Sequence, residues 1–458
     1  MLKAFSRFSL FSASRIASVT DGFLAPHPVQ RWRTGRGLCT QSGSDNAATE
    51  EDGCDGDTAA PLHGIRVLDL TRILAGPLCT MLLADMGAEV IKIEKPGEGD
   101  ETRRWGPPFV QGVSCYFLAV NRNKQSVAVD ISRPEGSHLI RQLAGQCDVL
   151  MHNFLPGKLE KYGLGYSDLK QANRQIIYCS ITGYGEDGPY RHRGGYDVIA
   201  SAIGGMMHIT GPQEGEPCKI GTAMTDISTG LYAHGAILAA LLRRNRSGEG
   251  AYIQCNLLAT QVANLVNLAS NYLNTGVEPR RWGTAHESIV PYQSFRTKDD
   301  EYLVVGAGSD AQFTALCQLL QVDYANQPAF RTNADRVAHR DHLISLLTGV
   351  FQQKTLAEWL TVLRPATFPY GPVNSFQRVF ADPQVQWLRL VEEVEHPVAG
   401  RVRMVGAPVR WAEEKNGFRP RVRRCPPGLG EHTDAVLTRI AGVGKEELRE
   451  LRERGVVA

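Results

Sequence analysis

By residue type, ten cysteines are the groups in this 458-residue chain most able to hold a metal or exchange electrons; they stand at 39, 54, 79, 115, 147, 179, 218, 255, 317 and 425. No two lie close enough for the paired ligands of a zinc site or a dithiol motif, so they read as reduced core residues and no metal site is expected. Phosphate-cradling signals are missing too. No Gly-x-Gly-x-x-Gly follows the first predicted strand, and no Gly-Lys-Ser or Gly-Lys-Thr follows any strand, which removes the dinucleotide fingerprint and the nucleotide loop. Ligand chemistry is left to four loops, 71–76, 95–99, 153–158 and 183–197. In isolation the last of these ends in an ordinary turn, Gly194-Gly195-Tyr196-Asp197.

Two alternating periods place those loops. From Gly64 onward, residues 65–70 (Ile-Arg-Val-Leu-Asp-Leu), 89–94, 126–130, 148–154 and 176–183 read as strands, and 77–86, 134–145 and 166–172 as helices. The alternation predicts an α/β fold with a Rossmann-like open parallel sheet, covered on both faces, whose ligands sit beyond the carboxyl ends of its strands. Two long apolar helices are expected at 229–242 and 257–273. These elements assign 64–275 to the first part of a large domain. A mixed stretch, 282–375, with a strand at 302–306 and helices near 311–320 and 356–363, reads as a smaller α+β domain. The segment 376–458, with a Pro/Gly turn at 426–433, then returns to complete the large domain.

A formal charge of +2 gives no electrostatic footprint for nucleic acid, and no run approaches the roughly 18 apolar residues of a membrane helix, so neither partner is expected. The near-neutral total hides an asymmetry. Residues 1–42 carry six bases (Lys3, Arg7, Arg15, Arg31, Arg33, Arg36) and one acid, Asp21, whereas 43–63 carry six acids and no base. An Arg- and Ser-rich, acid-poor, amphipathic leader is the pattern of a mitochondrial presequence, which predicts import into the matrix. Residues 43–63 read as an acidic, solvated linker.

Taken in order, several motifs resemble one family. They are Gly64-Ile65-Arg66-Val67-Leu68-Asp69-Leu70-Thr71 with Ala75-Gly76-Pro77, Ala88-Glu89-Val90-Ile91-Lys92-Ile93-Glu94-Lys95-Pro96, and Asn121-Arg122-Asn123-Lys124. Further on come Asn153-Phe154-Leu155-Pro156-Gly157, Gly183-Tyr184-Gly185, Gly195-Tyr196-Asp197 and Leu429-Gly430-Glu431-His432-Thr433. The chain from Gly64 onward is similar to the class III CoA-transferases, the formyl-CoA and carnitine-CoA transferase group, whose relatives include the alpha-methylacyl-CoA racemases.

The resemblance implies an interlocked homodimer that moves CoA from a dicarboxylyl-CoA such as succinyl-CoA to a free dicarboxylic acid such as glutarate. CoA esters are then substrates, and no cofactor is held permanently. It makes Asp197 the nucleophile: a carboxylate can form a mixed anhydride and then an aspartyl-CoA thioester without discarding the thioester's free energy. It brings Leu74, Ala75, Lys95, Val120, Asn121, Arg122, Asn123, Asn153, Phe154, Leu155, Thr182, Gly183, Tyr184 and Gly185 to the CoA, with Lys124 and Lys158 as further cations. For the acceptor's distal carboxylate the sequence offers Arg191, His192, Arg193, His208, Lys219, Arg280 and Arg281. The loop 283–291, which could shield the intermediate from water, lacks the four consecutive glycines of formyl-CoA transferase. Two other readings stay open. A racemase needs an acid and a base on opposite faces of its substrate; Asp226 matches one, but Tyr196 stands where the family's histidine belongs. A catalytically silent CoA-binding protein could share the fold.

Overall fold

A computed structural model describes residues 60–411 and 418–458; the basic leader and residues 43–59 of the acidic segment lie outside the described residues. The ordered body begins slightly before Gly64. Ala60 and Leu62 are buried, and the Leu62 N–H donates to the Met86 carbonyl, so residues 60–63 pack rather than continue the linker.

Six strands, β1 (Arg66–Leu70), β2 (Glu89–Glu94), β3 (Lys124–Ala128), β4 (Val149–His152), β5 (Ile177–Thr182) and β6 (Ala251–Asn256), form one sheet in the order β3-β2-β1-β4-β5-β6. Every pairing is parallel. The order reverses between β1 and β4, which opens a crevice at their carboxyl ends. Side chains alternate between two cores. Leu68, Leu70, Ile91, Ile93, Leu150 and Tyr178 join one face, and Val67, Val90, Val149, Met151, Ile177 and Cys179 the other.

Helix α1 (Ala75–Asp85) follows β1, and α2 (Pro134–Gly145) and α3 (Tyr166–Ala172) cover the first face. After β5 come α4 (Asp197–Ile203), the long α5 (Met224–Ser247) and α6 (Leu257–Ala263). Helix α5 lies against α1 at Gly230, where an added Cβ would come within 2.6 Å of the Ala75 carbonyl oxygen. That close approach brings the amino ends of α1 and α5 to the same edge of the sheet.

A three-stranded antiparallel sheet, β7 (Tyr292–Arg296), β8 (Tyr302–Gly306) and β9 (Tyr370–Pro372), builds a separate core around Phe295, Phe313, Phe330, Phe351 and Trp359. The chain then returns to the large sheet. The hairpin β10 (Val391–His396) and β11 (Gly400–Val405) packs Val402 and Met404 on Leu118. Val436, Leu437, Leu448, Leu451, Val456 and Val457 enter the first-face core. Val457 bridges Val129, the Asp130 N–H donates to the Val456 carbonyl and the Ala458 N–H to the Ala128 carbonyl, so residues 456–458 lie along the end of β3.

Several elements differ from the sequence reading. The helix expected at 229–242 is Met224–Ser247, which extends it at both ends. The strand expected at 126–130 is Lys124–Ala128, two residues earlier. The apolar run 257–273 is divided at Asn264 and Leu265, and a second helix begins at Val266. Strand β6 was not anticipated: Tyr252 and Gln254 are more exposed than their neighbours, and pairing at this edge relies on Gly250, where a Cβ would lie 2.0 Å from the Ile176 carbonyl oxygen.

Candidate active site

A cleft of about 290 Å³ opens at the carboxyl ends of β1, β4 and β5, where the strand order reverses. Leu74, Ala75, Asn153, Phe154, Leu155, Thr182 and Gly183 line it, as the sequence reading expects. A second cleft of about 340 Å³ lies beyond β2 and β3 and meets the first at Arg72, Phe154 and Lys158. Together they make a two-part trough along the carboxyl edge of the sheet. At the junction, Phe154 lies between two cations, the Arg72 guanidinium 5.1 Å and the Lys158 ammonium 4.9 Å from its ring centre. His152 supports the ring from below: burial pushes its pKa down to about 3, and the neutral Nδ1 accepts the Phe154 N–H at 3.3 Å.

Lys95 lines the second cleft, paired with Glu98. Beside it are Val129, Asp130, Ile131 and Ser132. Residues 120–123, expected at the CoA, line neither cleft. Val120, Asn121, Arg122 and Asn123 are buried at the amino end of β3, the opposite edge of a parallel sheet from the clefts. Arg122 is spent on Asp85, with Nη2–Oδ2 at 2.7 Å, and Asn123 donates to the same carboxylate at 2.8 Å. Asn121 donates to the Phe117 carbonyl and accepts from Lys124. Lys124 is also withdrawn, fully buried between Asp69, Asn121 and the Pro77 carbonyl. Burial depresses its pKa to about 8, against the pull of Asp69. Tyr184 packs on Tyr190, and the Gly185 N–H donates to the Thr182 hydroxyl; neither lines the clefts.

Asp197 begins α4, and its Oδ2 accepts the backbone N–H groups of Thr225 at 2.8 Å and Asp226 at 3.2 Å. It is therefore tied to the amino end of α5 and is not among the residues lining the cleft. Asp226, in the first turn of α5, does line it. Burial, followed by the charge of Asp197, raises its carboxyl to about 7. Thr225 is fixed in turn by its hydroxyl donating to Gln261 Oε1 at 2.7 Å. Tyr116 sits in the field of the same two carboxylates, and burial with their charge raises its hydroxyl pKa.

Of the basic residues considered for the acceptor, Arg191 and Arg193 line the cleft that holds Asp226. Arg193 stacks at 3.9 Å on Tyr190, and among the described residues neither arginine pairs with a carboxylate of the chain. Arg281 donates instead to the His208 carbonyl, Arg280 stacks on Trp282, and His286 accepts the Ser288 N–H. In the sequence Asp226 is legible as the carboxylate that matches one of the racemases' proton-transfer groups and as a cap of the helix predicted from Thr229. The available signal was a carboxylate near the start of the longest helix, whose amino end has no capping side chain.

Comparison with known proteins agrees with this architecture. Residues 62–433 match the model of CoA-transferase family III. The chain is 48% identical over 426 residues to the succinyl-CoA:glutarate CoA-transferase of Mus musculus, covering 93% of this chain and 96% of that one. It is 49% identical over 404 residues to the enzyme of the same name from Homo sapiens, covering 88% and 91%. Among solved structures, a CAIB/BAIF family protein from Brucella suis superposes with a TM-score of 0.74 at 41% identity, over 83% of this chain and 99% of that one.

Proposed function

The chain belongs to CoA-transferase family III, and we propose that it moves coenzyme A from succinyl-CoA to glutarate, with Asp197 carrying the intermediates. One observation carries the choice: Asp197 opens α4 directly after Gly194, Gly195 and Tyr196 of the cleft wall, with Oδ2 held by the Thr225 and Asp226 N–H groups and Oδ1 taking no hydrogen bond among the described residues. Burial and the charge of Asp197 raise the Asp226 carboxyl to about 7, so it is partly protonated at neutral pH and the poorer nucleophile.

An Asp197 oxygen attacks the thioester carbonyl, the C–S bond breaks, and CoA leaves as thiolate with a succinyl-aspartyl anhydride behind it. The thiolate then attacks the Asp197 carbonyl carbon, releasing succinate and leaving an aspartyl-CoA thioester. A glutarate carboxylate displaces the thiolate to form a glutaryl-aspartyl anhydride, and attack of the thiolate on the glutaryl carbonyl gives glutaryl-CoA and free Asp197. Acylation removes the negative charge that an ionised Asp226 repels, so the neighbouring carboxylate favours this step. Arg191 and Arg193 supply positive charge for the distal carboxylate of either acid. The second cleft, with Lys95, Arg104 and Lys158, suits the nucleotide phosphates of CoA, and no permanently bound cofactor is needed.

The basic, Ser-rich leader supports a matrix location. Exposed apolar side chains on α4 (Val198, Ile199, Ile203), α5 (Leu231, Tyr232) and α6 (Val262) support a homodimer that covers them. The decisive experiment incubates the purified protein with succinyl-CoA and a panel of free acids and follows CoA esters by mass spectrometry. Glutaryl-CoA should form in step with succinate. Exchange of the alpha proton with solvent in the absence of any acceptor acid would instead make the protein a racemase.

A further inference from the structure

The chain turns from β1 into α1 through residues 71–74, and Ile73 in that turn has φ +75°, left-handed backbone that a β-branched residue avoids. Ile73, Leu74 and Ala75 all line the cleft that holds Asp226. Side chains hold each peptide group of the turn. The Lys92 ammonium donates to the Thr71 carbonyl at 2.8 Å. Asn153 accepts the Arg72 N–H at 3.0 Å and donates to the Arg72 carbonyl at 2.7 Å. The Ile73 N–H points into the Asp100 carboxylate, 3.2 Å from each oxygen. Lys92 and Asp100 themselves pair at 2.9 Å with both side chains fully buried. Asp100 is pinned from behind, accepting the Thr102 N–H and hydroxyl while its own N–H donates to Glu94.

Burying an ion pair of this kind costs solvation that apolar residues would not, so it is weak evidence for a purely stabilising role. Backbone strain persists where surrounding groups over-determine it, and here the strained residue and the buried pair converge on the wall of one cleft. We propose that Asp100 and Lys92 are positioning residues: they hold Ile73 in its left-handed conformation and so fix the amino end of α1 against the bound CoA thioester. The identity of the ligand rests on the function proposed above; the clamp itself is a property of the turn.

The test uses the full chain and three variants, Asp100→Asn, Ile73→Gly and the pair combined, with calorimetric binding of free CoA, transferase kinetics and thermal unfolding measured on each. Asparagine keeps an acceptor for Thr102 or Ile73 but loses the charge that orders Lys92. Asp100→Asn is expected to weaken CoA binding by roughly 10-fold and to lower kcat/KM for succinyl-CoA by about 100-fold. Glycine enters the left-handed region without steric cost. Ile73→Gly alone should raise Tm, and in the Asp100→Asn background it should recover about 5-fold or more of the lost CoA affinity. A merely structural pair predicts the opposite, a double variant no tighter for CoA and less stable than either single one, and that result overturns the proposal. If Asp100→Asn does not fold, Ile73→Gly decides: a lowered Tm, as a cavity would produce, removes the strain on which the clamp depends. CoA binding is read without turnover, so a wild-type protein that binds CoA but fails to form glutaryl-CoA would overturn the proposed reaction and leave the clamp to be judged by the variants.

Discussion

Asp197 holds the backbone of the residue that it also repels: its Oδ2 accepts the Asp226 N–H at 3.2 Å, while its charge adds to burial in raising the Asp226 carboxyl to about 7. One contact thus ties Asp197 to the first turn of α5, and one charge holds the neighbouring carboxyl partly protonated near neutral pH.

Replacing each acid separates those roles. Asp197→Asn should abolish turnover, a fall of about 10⁴-fold or more, because an amide cannot form the anhydride although its oxygen still accepts the two N–H groups. Asp226→Asn should keep measurable activity. Hydroxylamine added during turnover should modify residue 197, and peptide mapping of the adduct to Asp226 would reverse the assignment.

The same pair predicts a titration. The Asp226 carboxyl should lose its proton as pH rises through about 7, read from the NMR signal of its carboxyl carbon. In Asp197→Asn, with the repulsion gone, the midpoint should move to lower pH. An unmoved midpoint would leave burial as the whole cause.

Stability should follow the same titration. The folded protein binds the Asp226 proton more tightly than the unfolded chain does, so this residue's contribution declines as pH rises from about 4 to about 7 and is constant above. Asp226→Asn removes that penalty and should be more stable than wild type at pH 8 by about 2 kcal/mol, read from denaturant unfolding. A less stable variant would place the carboxylate in a favourable interaction that its surroundings do not supply.

Acceptor choice should depend on Arg193. Arg193→Gln is expected to raise KM for glutarate by about 10- to 100-fold, the worth of a charge-assisted hydrogen bond, and to leave pentanoate, which has no second carboxylate, nearly unchanged. Equal losses for both acids would mean that the arginine shapes the cleft rather than reading charge.

CoA binding should follow the trough and not the amino end of β3. Lys158→Ala should weaken CoA by about 10-fold. Asn123→Ala should leave the CoA dissociation constant unchanged but cost about 1–3 kcal/mol of stability, because it strips a donor from the buried Asp85 carboxylate. A marked loss of CoA affinity in Asn123→Ala would restore the first reading of that turn.

Local periodicity carried most of the large sheet. β2 and β8 stand where their apolar alternation puts them, and α2 and α3 have the bounds their patterns predict. What stayed hidden depends on partners distant in the chain. Lys92 and Lys124 look like solvent-side charges of half-buried strands, yet both are fully buried, because Asp100 and Asp69 arrive from other loops and strands to meet them. The expectation that residues 120–123 meet the CoA came from the family resemblance and not from periodicity; they precede β3 at the amino edge of the sheet, whereas 129–132 follow it on the wall of the second cleft. The pairing of Asp226 with Asp197 stayed hidden for a related reason. It exists only once α4, seven residues beginning at Asp197, is set beside the start of α5.

The strip of backbone that residues 456–458 lay along the end of β3 has a consequence for the order in which the protein matures. Val129 and Asp130, on the wall of the second cleft, take their backbone partners from residues translated more than three hundred positions later. A nascent chain can assemble β1, β2, β4 and β5 early, but this wall of the trough cannot be completed until the ribosome has released the far segment. The ability to hold CoA is therefore acquired late in the life of the chain, after the sheet that carries the site already exists.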